Sequence, residues 1–275
     1  MGARVSSEYK VFRDYLAEIS GIVLGDNKQY LVSSRLHHLM IKFRLDSLGA
    51  LVELMQQASQ RHLRQAVLDA MTTNETLWFR DTHPFNIFRD KLLPEFQRDQ
   101  KKSVRVWSAA CSSGQEPFSL SMLVDEYKSA NLGAPSYSVD ILATDLSLSM
   151  IDVGKAAEYN HHALGRGLSA ERQQQFFDSI DDNNWRVISD VRQRVRFQSL
   201  NLMDSFAALG KFEVVFCRNV LIYFSPELKM NILRRIHAAL RPRGYLILGA
   251  SEGLADAKQY FKMVQCSPGI IYQAL

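Results

Sequence analysis

The side chains best suited to chemistry in this chain gather where short apolar runs end. Val104–Ala109 leads into Ala109-Ala-Cys-Ser-Ser-Gly-Gln-Glu116, and then into an amphipathic stretch through Phe118 to Tyr127. A loop that grips a phosphate uses several glycines so that backbone N–H groups can close on the anion. This loop has Gly114 alone, and its small residues leave room for a bulky uncharged group such as adenosine or an amino-acid moiety. The same residues equally suit plain packing of a β–α turn. Glu116 falls in the first turn of the following helix, where the helix dipole favours a carboxylate whatever its use. There it would also attract a cationic ligand.

A second run, Ser138–Thr144, ends at Asp145. A carboxylate at the C-terminal edge of a sheet can accept both hydroxyls of a ribose, and it can equally cap a helix that starts near Ser147. Asp145 lies 31 residues beyond Gly114, against roughly 20 in the dinucleotide fingerprint, which disfavours a nicotinamide dehydrogenase. A third run, Phe212–Phe224, leaves Arg218 and Asn219 at a strand end, with Tyr223 a few residues on. Ligands of open α/β sheets bind at that edge, although a phenol in an apolar run also suits the core if its hydroxyl finds a partner.

The segment Met71–Asp81 is dense in hydrogen-bonding groups beside Trp78 and Phe79. Either Thr73 or Asn74 caps a helix there, or Asn74, Thr76 and Arg80 reach into a cleft between two units. Upstream, no acidic residue occurs between Asp26 and Asp46, while Lys28, Arg35, Lys42 and Arg44 are joined by His37 and His38. On a helix, Lys28, Arg35, His38 and Lys42 share a stripe opposite Leu36, Met40 and Phe43. Such a stripe is a solvated face or a docking surface for an acidic helix, and docking of that kind weakens with salt.

The elements that must hold these groups follow from periodicity. From Tyr9 to about Ala70 the apolar residues recur at helical spacing (Phe12, Leu16, Ile19; Leu36, Leu39, Met40, Phe43; Leu63, Val67, Leu68), which predicts an all-helical unit. Beyond Lys101, apolar runs at Val104–Ala109, Ser138–Thr144, Val195–Ser199, Glu213–Cys217, Tyr245–Gly249, Phe261–Gln265 and Ile270–Gln273 alternate with amphipathic stretches, which predicts an α/β domain. Only Cys266, Ser267, Pro268 and Gly269 separate the last two runs. That is too short for a crossover, so an antiparallel hairpin should close an otherwise parallel sheet. Seven strands closed in this way are common among S-adenosylmethionine-dependent methyltransferases. The expected organisation is a helical domain over 1–85, a linker over 86–100 and an α/β domain over 101–275, with a small antiparallel insert at about 160–195. The alternating Arg192, Arg194 and Arg196 suggest an exposed strand of that insert.

Composition removes other classes. The chain has 275 residues, is 47% hydrophobic and carries a formal net charge of +4, too small to argue for nucleic-acid binding. Cys111, Cys217 and Cys266 form no Cys-x-x-Cys pair and have no His at zinc spacing, so neither a disulfide framework nor a metal is expected. No stretch approaches about 18 apolar residues, so a cytoplasmic protein without a signal peptide or membrane insertion is expected.

The motifs together are more specific than any one of them. Thr73-Asn-Glu-Thr-Leu-Trp-Phe-Arg80, Trp107-Ser-Ala-Ala-Cys-Ser-Ser-Gly-Gln-Glu-Pro-Phe-Ser119, Ala143-Thr-Asp145, Leu200-Asn-Leu-Met203 and Phe216-Cys-Arg-Asn-Val-Leu-Ile-Tyr-Phe224 occur in this order. In this the chain resembles the bacterial chemotaxis receptor methyltransferase (CheR) family over essentially its whole length. Gln115 stands where many members have Glu, and Leu77-Trp78 where two aromatics are usual.

The resemblance implies methyl transfer from S-adenosylmethionine, leaving S-adenosylhomocysteine, to the γ-carboxylate of glutamates on the cytoplasmic helical bundle of chemoreceptors. It implies a cofactor site of Asn74, Thr76, Arg80, Glu116, Asp145, Asn201, Leu202, Arg218 and Asn219, with Asp145 on the ribose and Glu116 near the positive end. Arg80 and Tyr223 are the candidates for orienting the substrate carboxylate. Lys28, Arg35, His38, Lys42 and Arg44 are the candidate docking face. Some family members bind a short tether at the receptor C-terminus through the inserted subdomain, and the sequence leaves this open here. The competing readings are a same-fold methyltransferase with another substrate, which leaves the helical unit unexplained, and a non-catalytic S-adenosylmethionine sensor, which would be marked by loss of Arg80 or Tyr223.

Overall fold

The computed structural model describes residues 6–132 and 137–275. The chain opens with helices α1 (Ser7–Ser20), α2 (Gln29–Phe43), α3 (Leu48–Gln56) and α4 (Arg61–Met71). Ser6 caps α1 by accepting the Tyr9 N–H, Ser47 caps α3 by accepting that of Ala50, and Gly21, at φ +76°, ends α1 in the left-handed conformation that favours glycine. Tyr9, Phe12, Leu16, Val32, Leu36, Leu51, Met55, Leu63 and Val67 form the core of this unit. Phe12, Leu16, Leu36, Leu63 and Val67 are among the positions that recur at helical spacing in the sequence.

The span 86–100, expected to be a linker, is instead helical. Helices α5 (His83–Ile87) and α6 (Leu93–Arg98) are joined without a break by a wider π turn over Phe88–Leu92. That turn meets Pro94, whose missing N–H and bulky ring disfavour a regular α ladder. Phe85, Phe88, Leu92, Leu93 and Phe96 are buried against the sheet. Each contributes about 1.5–3 kcal/mol by burial.

The remaining elements are β1 (Ser103–Ala109), α7 (Gln115–Ala130), β2 (Ser138–Asp145), α8 (Leu148–Ala156), β3 (Glu158–Asn160), α9 (His161–Leu164), α10 (Ala170–Phe176), β4 (Phe177–Ser179), β5 (Asn184–Val187), α11 (Ser189–Arg192), β6 (Val195–Ser199), β7 (Phe212–Cys217), α12 (Pro226–Ala239), β8 (Leu240–Leu248), β9 (Phe261–Gln265) and β10 (Ile270–Ala274). The large sheet has the order β6-β2-β1-β7-β8-β10-β9. It is parallel from β6 to β8, and β10 runs antiparallel to both β8 and β9. This is the α/β methyltransferase sheet with its closing hairpin that the strand pattern predicts. Apolar clusters cover both faces, as a parallel sheet requires. Because the chain builds outward from β1 in one direction and restarts at β7 in the other, a crevice opens at their C-terminal ends.

The long connection after β2 carries the small antiparallel sheet β3-β5-β4. Arg192, Arg194 and Arg196 are not part of it. Arg192 ends α11, Arg194 forms an ion pair with Asp125 of α7, and Arg196 lies on β6 of the large sheet, paired with Asp140. Arg194 and Arg196 thus meet carboxylates of neighbouring elements, whereas Arg192 Nε is buried without a partner among the described residues. No helix among the described residues is long and apolar enough to cross a membrane.

Candidate active site

The crevice between β1 and β7 deepens into a cavity of about 300 Å³ walled by both units. Its lining comes from the Ser20–Lys28 turn, Arg35, the segment after α4, the loop after β1, Asp145, Leu200–Leu202 and the loop after β7. Concave sites at the switch point of a sheet are where small ligands bind.

The loop after β1 is built from unusual backbone. Ala110 and Ser112 sit at φ +60° and +50°, and Gly114 at +99°. A side chain at Gly114 would start 3.0 Å from the Tyr159 hydroxyl and 3.1 Å from the Phe197 ring, so the position needs glycine for space as well as for φ. Asp145 fastens this loop: its Oδ2 accepts the Ser112 N–H at 2.7 Å, and its Oδ1 accepts that of Ser147 at 2.9 Å. Asp145 therefore supports the start of α8, while Ser147 itself is the N-cap. Each carboxylate oxygen retains acceptor capacity toward the cavity. Burial pushes the Asp145 carboxyl above its usual range, against the opposing pull of the backbone N–H groups.

Beside it lies a buried ionic cluster. Arg218 donates from Nη1 to Glu116 Oε2 at 2.9 Å, and from Nη2 to Asp81 Oδ2 at 2.7 Å and to the Arg80 carbonyl at 2.8 Å. Ser108 Oγ donates to Glu116 Oε1 at 2.7 Å, so both oxygens of Glu116 are engaged. Arg218 Nε is buried with no partner among the described residues. Glu116 and Asp145 thus line the cavity together with Arg218 and the basic side chains Lys28, Arg35 and Arg80, so a cationic ligand would be met by individual carboxylates rather than by a net negative interior.

The segment after α4 does not begin a helix at Thr73 or Asn74. It runs extended, and the next helix starts at His83. The Asn74 carbonyl accepts from Ser112 Oγ at 2.9 Å, which ties this segment to the β1 loop. Trp78 anchors it: its backbone N–H donates to the Arg166 carbonyl and its Nε1 to that of Ala163, both at 3.0 Å, and its ring meets Tyr159 and Phe177 edge-on. Phe79, Asp81 and Thr82 then turn through positive φ. Asn74, Thr76 and Arg80 are thereby brought to the cavity wall. Arg80 donates to the Glu75 carbonyl at 2.9 Å and has no acidic partner among the described residues.

Asn201 and Leu202 line the same cavity, and Asn201 Nδ2 donates to the Ile19 carbonyl at 2.9 Å, joining the sheet domain to α1. Asn219 and Tyr223 line the opposite wall, and the Tyr223 carbonyl accepts the Val23 N–H at 2.9 Å. The basic set divides. Lys28 and Arg35 reach the cavity, whereas His38, Lys42 and Arg44 lie exposed farther along α2. Arg35 is no free docking group: it donates to the Met71 and Thr72 carbonyls and to Thr73 Oγ1, at 2.7–3.1 Å.

Sequence reasoning gave no role to Asp81 or Ser108 and overlooked Glu252, which accepts four backbone N–H groups behind the β7 loop. No spacing rule marks Glu252, because the backbone groups it binds leave no trace in residue type, and Asp81 and Ser108 meet Arg218 and Glu116 only across the fold. The cavity lining contains no histidine, and burial drives the Cys111 thiol far above its ordinary range, so it offers no thiolate. Among the described residues, no group of His, Cys, Asp and Glu is arranged to hold a metal ion.

Residues 7–72 match the family model described as CheR methyltransferase, all-alpha domain, and residues 74–270 match CheR methyltransferase, SAM binding domain. The chain is 55% identical to Chemotaxis protein methyltransferase 1 of Pseudomonas aeruginosa, over 98% of each protein. It is 54% identical to Chemotaxis protein methyltransferase Cher2 of Pseudomonas putida, over 97% of this chain and 98% of the relative. The Chemotaxis protein methyltransferase of Vibrio parahaemolyticus is 51% identical over 97% and 96%, respectively.

Proposed function

The chain belongs to the CheR methyltransferase family, and on that premise we propose that it methylates the γ-carboxylate of glutamates on the cytoplasmic helical bundle of chemoreceptors, with S-adenosylmethionine as donor. The observation that carries the choice of acceptor is Arg80: a guanidinium at the cavity wall with no acidic partner among the described residues. A guanidinium binds a carboxylate in a fixed two-point geometry. A glutamate is already ionised at neutral pH, so the absence of histidine from the lining costs the reaction nothing.

The residues present fit the cofactor. Asp145 retains acceptors for the ribose hydroxyls, Glu116 sets a carboxylate in the lining beside which the positive end would lie, and the unpartnered Arg218 Nε offers a donor. Asn74, Thr76, Asn201, Leu202 and Asn219 complete the wall. When bound, S-adenosylmethionine supplies a methyl group activated by its sulfonium. The chain's own contribution is to strip water from the incoming carboxylate and hold one oxygen in line, at about 3–3.5 Å from the reacting carbon. Arg80 and Tyr223 do this.

Docking falls to the exposed His38, Lys42 and Arg44, with Lys28 at the cavity rim; Arg35 acts by bracing the segment that carries Asn74. The short edge strands β3 and β4 are where a receptor tether peptide would add as a further strand. Recruitment to membrane receptor arrays follows from the same contacts. The test is methyl transfer from labelled S-adenosylmethionine to chemoreceptor-containing membranes, scored as alkali-released methanol. Arg80→Ala should lower turnover on the order of 100-fold while changing S-adenosylhomocysteine affinity only severalfold. Unchanged turnover would remove Arg80 from this role, and label that survives alkali would exclude an ester.

A further inference from the structure

Glu252 lies in the connection between β8 and β9, outside the motifs that carry the family resemblance, and does not line the cavity. It is nonetheless 9% exposed and held only by peptide groups. Its Oε2 accepts the N–H of Asn219 at 2.7 Å and of Gly249 at 2.9 Å, and its Oε1 accepts those of Val220 at 3.0 Å and Leu221 at 2.8 Å. No lysine or arginine among the described residues pairs with it. A carboxylate so deep is costly unless its lone pairs are filled, and here they are.

The arrangement also explains the loop. Asn219 sits at φ +58°, which lets three successive N–H groups converge on one side, a concavity suited to an anion. A neutral amide could not replace the carboxylate: whichever way it turned, its NH₂ would face two N–H donors. Gly249 shows how closely the clamp is built, since a Cβ there would fall 2.7 Å from Glu252 Oε2 and 2.9 Å from the Asn219 backbone nitrogen. The clamped loop carries Arg218, Asn219, Tyr223 and Phe224 to the cavity, and its far end is tied to the helical unit by the Val23–Tyr223 hydrogen bond.

We propose that Glu252 is a positioning residue for methyl transfer: by clamping the backbone of Asn219, Val220 and Leu221, it sets the orientation of Asn219 and Tyr223 at the cavity wall. The inference deepens the methyltransferase reading and rests on it. The test uses the full chain with Glu252→Gln, well below its melting midpoint. Amide hydrogen exchange at Asn219, Val220 and Leu221 should accelerate at least about tenfold, with Val214–Phe216 unchanged. Turnover on receptor membranes should fall on the order of 100-fold, with receptor KM nearly constant. The turnover loss should shrink in a Tyr223→Phe background, because the two changes disable one arrangement. Faster exchange with unchanged turnover overturns the positioning role, and unchanged exchange overturns the clamp. If Glu252→Gln does not fold, Gly249→Ala keeps the carboxylate but crowds the clamp, and the same outcomes decide. If the wild-type chain transfers no methyl group, the functional reading fails, and the exchange data still judge the clamp.

Discussion

Replacing Arg218 by Met should expose the energetics on which the cavity rests. The guanidinium side chain is 2% exposed and holds two carboxylates, of which Glu116 is 13% and Asp81 33% exposed. Met keeps much of the apolar stem and removes the charge. Asp81 can recover solvation by turning outward, but Glu116 keeps only Ser108 as a donor. Breaking a buried pair by removing one partner costs about 3–5 kcal/mol, and the partial exposure of Asp81 places this case near the lower end. At ~2–4 °C per kcal/mol for chains approaching this size, the melting midpoint should fall by about 6–12 °C. Adding Glu116→Gln should recover much of the loss, because it removes the charge left without its partner. The assay is urea unfolding of wild type, single and double variants. A deficit below about 1 kcal/mol, or one that Glu116→Gln deepens, would refute the reasoning.

Asp145→Asn should weaken S-adenosylhomocysteine binding by about 10–150-fold, the equivalent of ~1.5–3 kcal/mol for hydrogen bonds to a charged acceptor, as read by calorimetry. Because burial holds this carboxyl above its usual range, folding favours its protonated form. Lowering the pH through that range should therefore add stability to the ligand-free protein from this group while wild-type ligand affinity falls, and affinity flat down to the ordinary aspartate range would contradict this. Lys42→Glu should raise receptor KM severalfold at low ionic strength, with the effect vanishing at ~1 M salt, where the Debye length is about 3 Å. A KM insensitive to both changes would remove α2 from docking.

What the sequence made legible was what side-chain type encodes. Helical spacing marked the core of the first unit, and the runs beyond Lys101 marked the strands of the large sheet, most plainly the central parallel strands, which are buried on both faces and so demand continuous apolar stretches. The span 86–100 was misread because its charged residues Arg89, Asp90, Lys91 and Glu95 dilute a pattern that Phe85, Phe88, Leu92, Leu93 and Phe96 complete only on one face. Arg35 has a structural contact that the sequence did not announce, for a related reason. On a helical wheel it shares a stripe with Lys42, but its long side chain reaches the carbonyls that α4 leaves unpaired at its end. Periodicity places a Cβ; it does not say where a four-atom stem will end.

The cavity itself rests on a principle no residue pattern announces. Three of its walls contain non-glycine residues in left-handed backbone: Ala110 and Ser112 after β1, Phe79, Asp81 and Thr82 before α5, and Asn219 after β7. Each such residue costs on the order of 1–3 kcal/mol unless its surroundings hold it. In each wall the holding group belongs to a buried or half-buried carboxylate. Asp145 takes the Ser112 N–H, Asp81 and Glu116 share Arg218, and Glu252 takes the N–H groups that follow Arg218. Hydrogen bonds to a charged group contribute roughly 1.5–3 kcal/mol, which matches the cost they offset. The carboxylates thus fix the strained loops, and two of them, Glu116 and Asp145, also present acceptors on the cavity wall. A change that removes one of them should loosen the loop it holds before it alters the charge that the ligand feels, which is why exchange at single amides is the measurement that separates those roles.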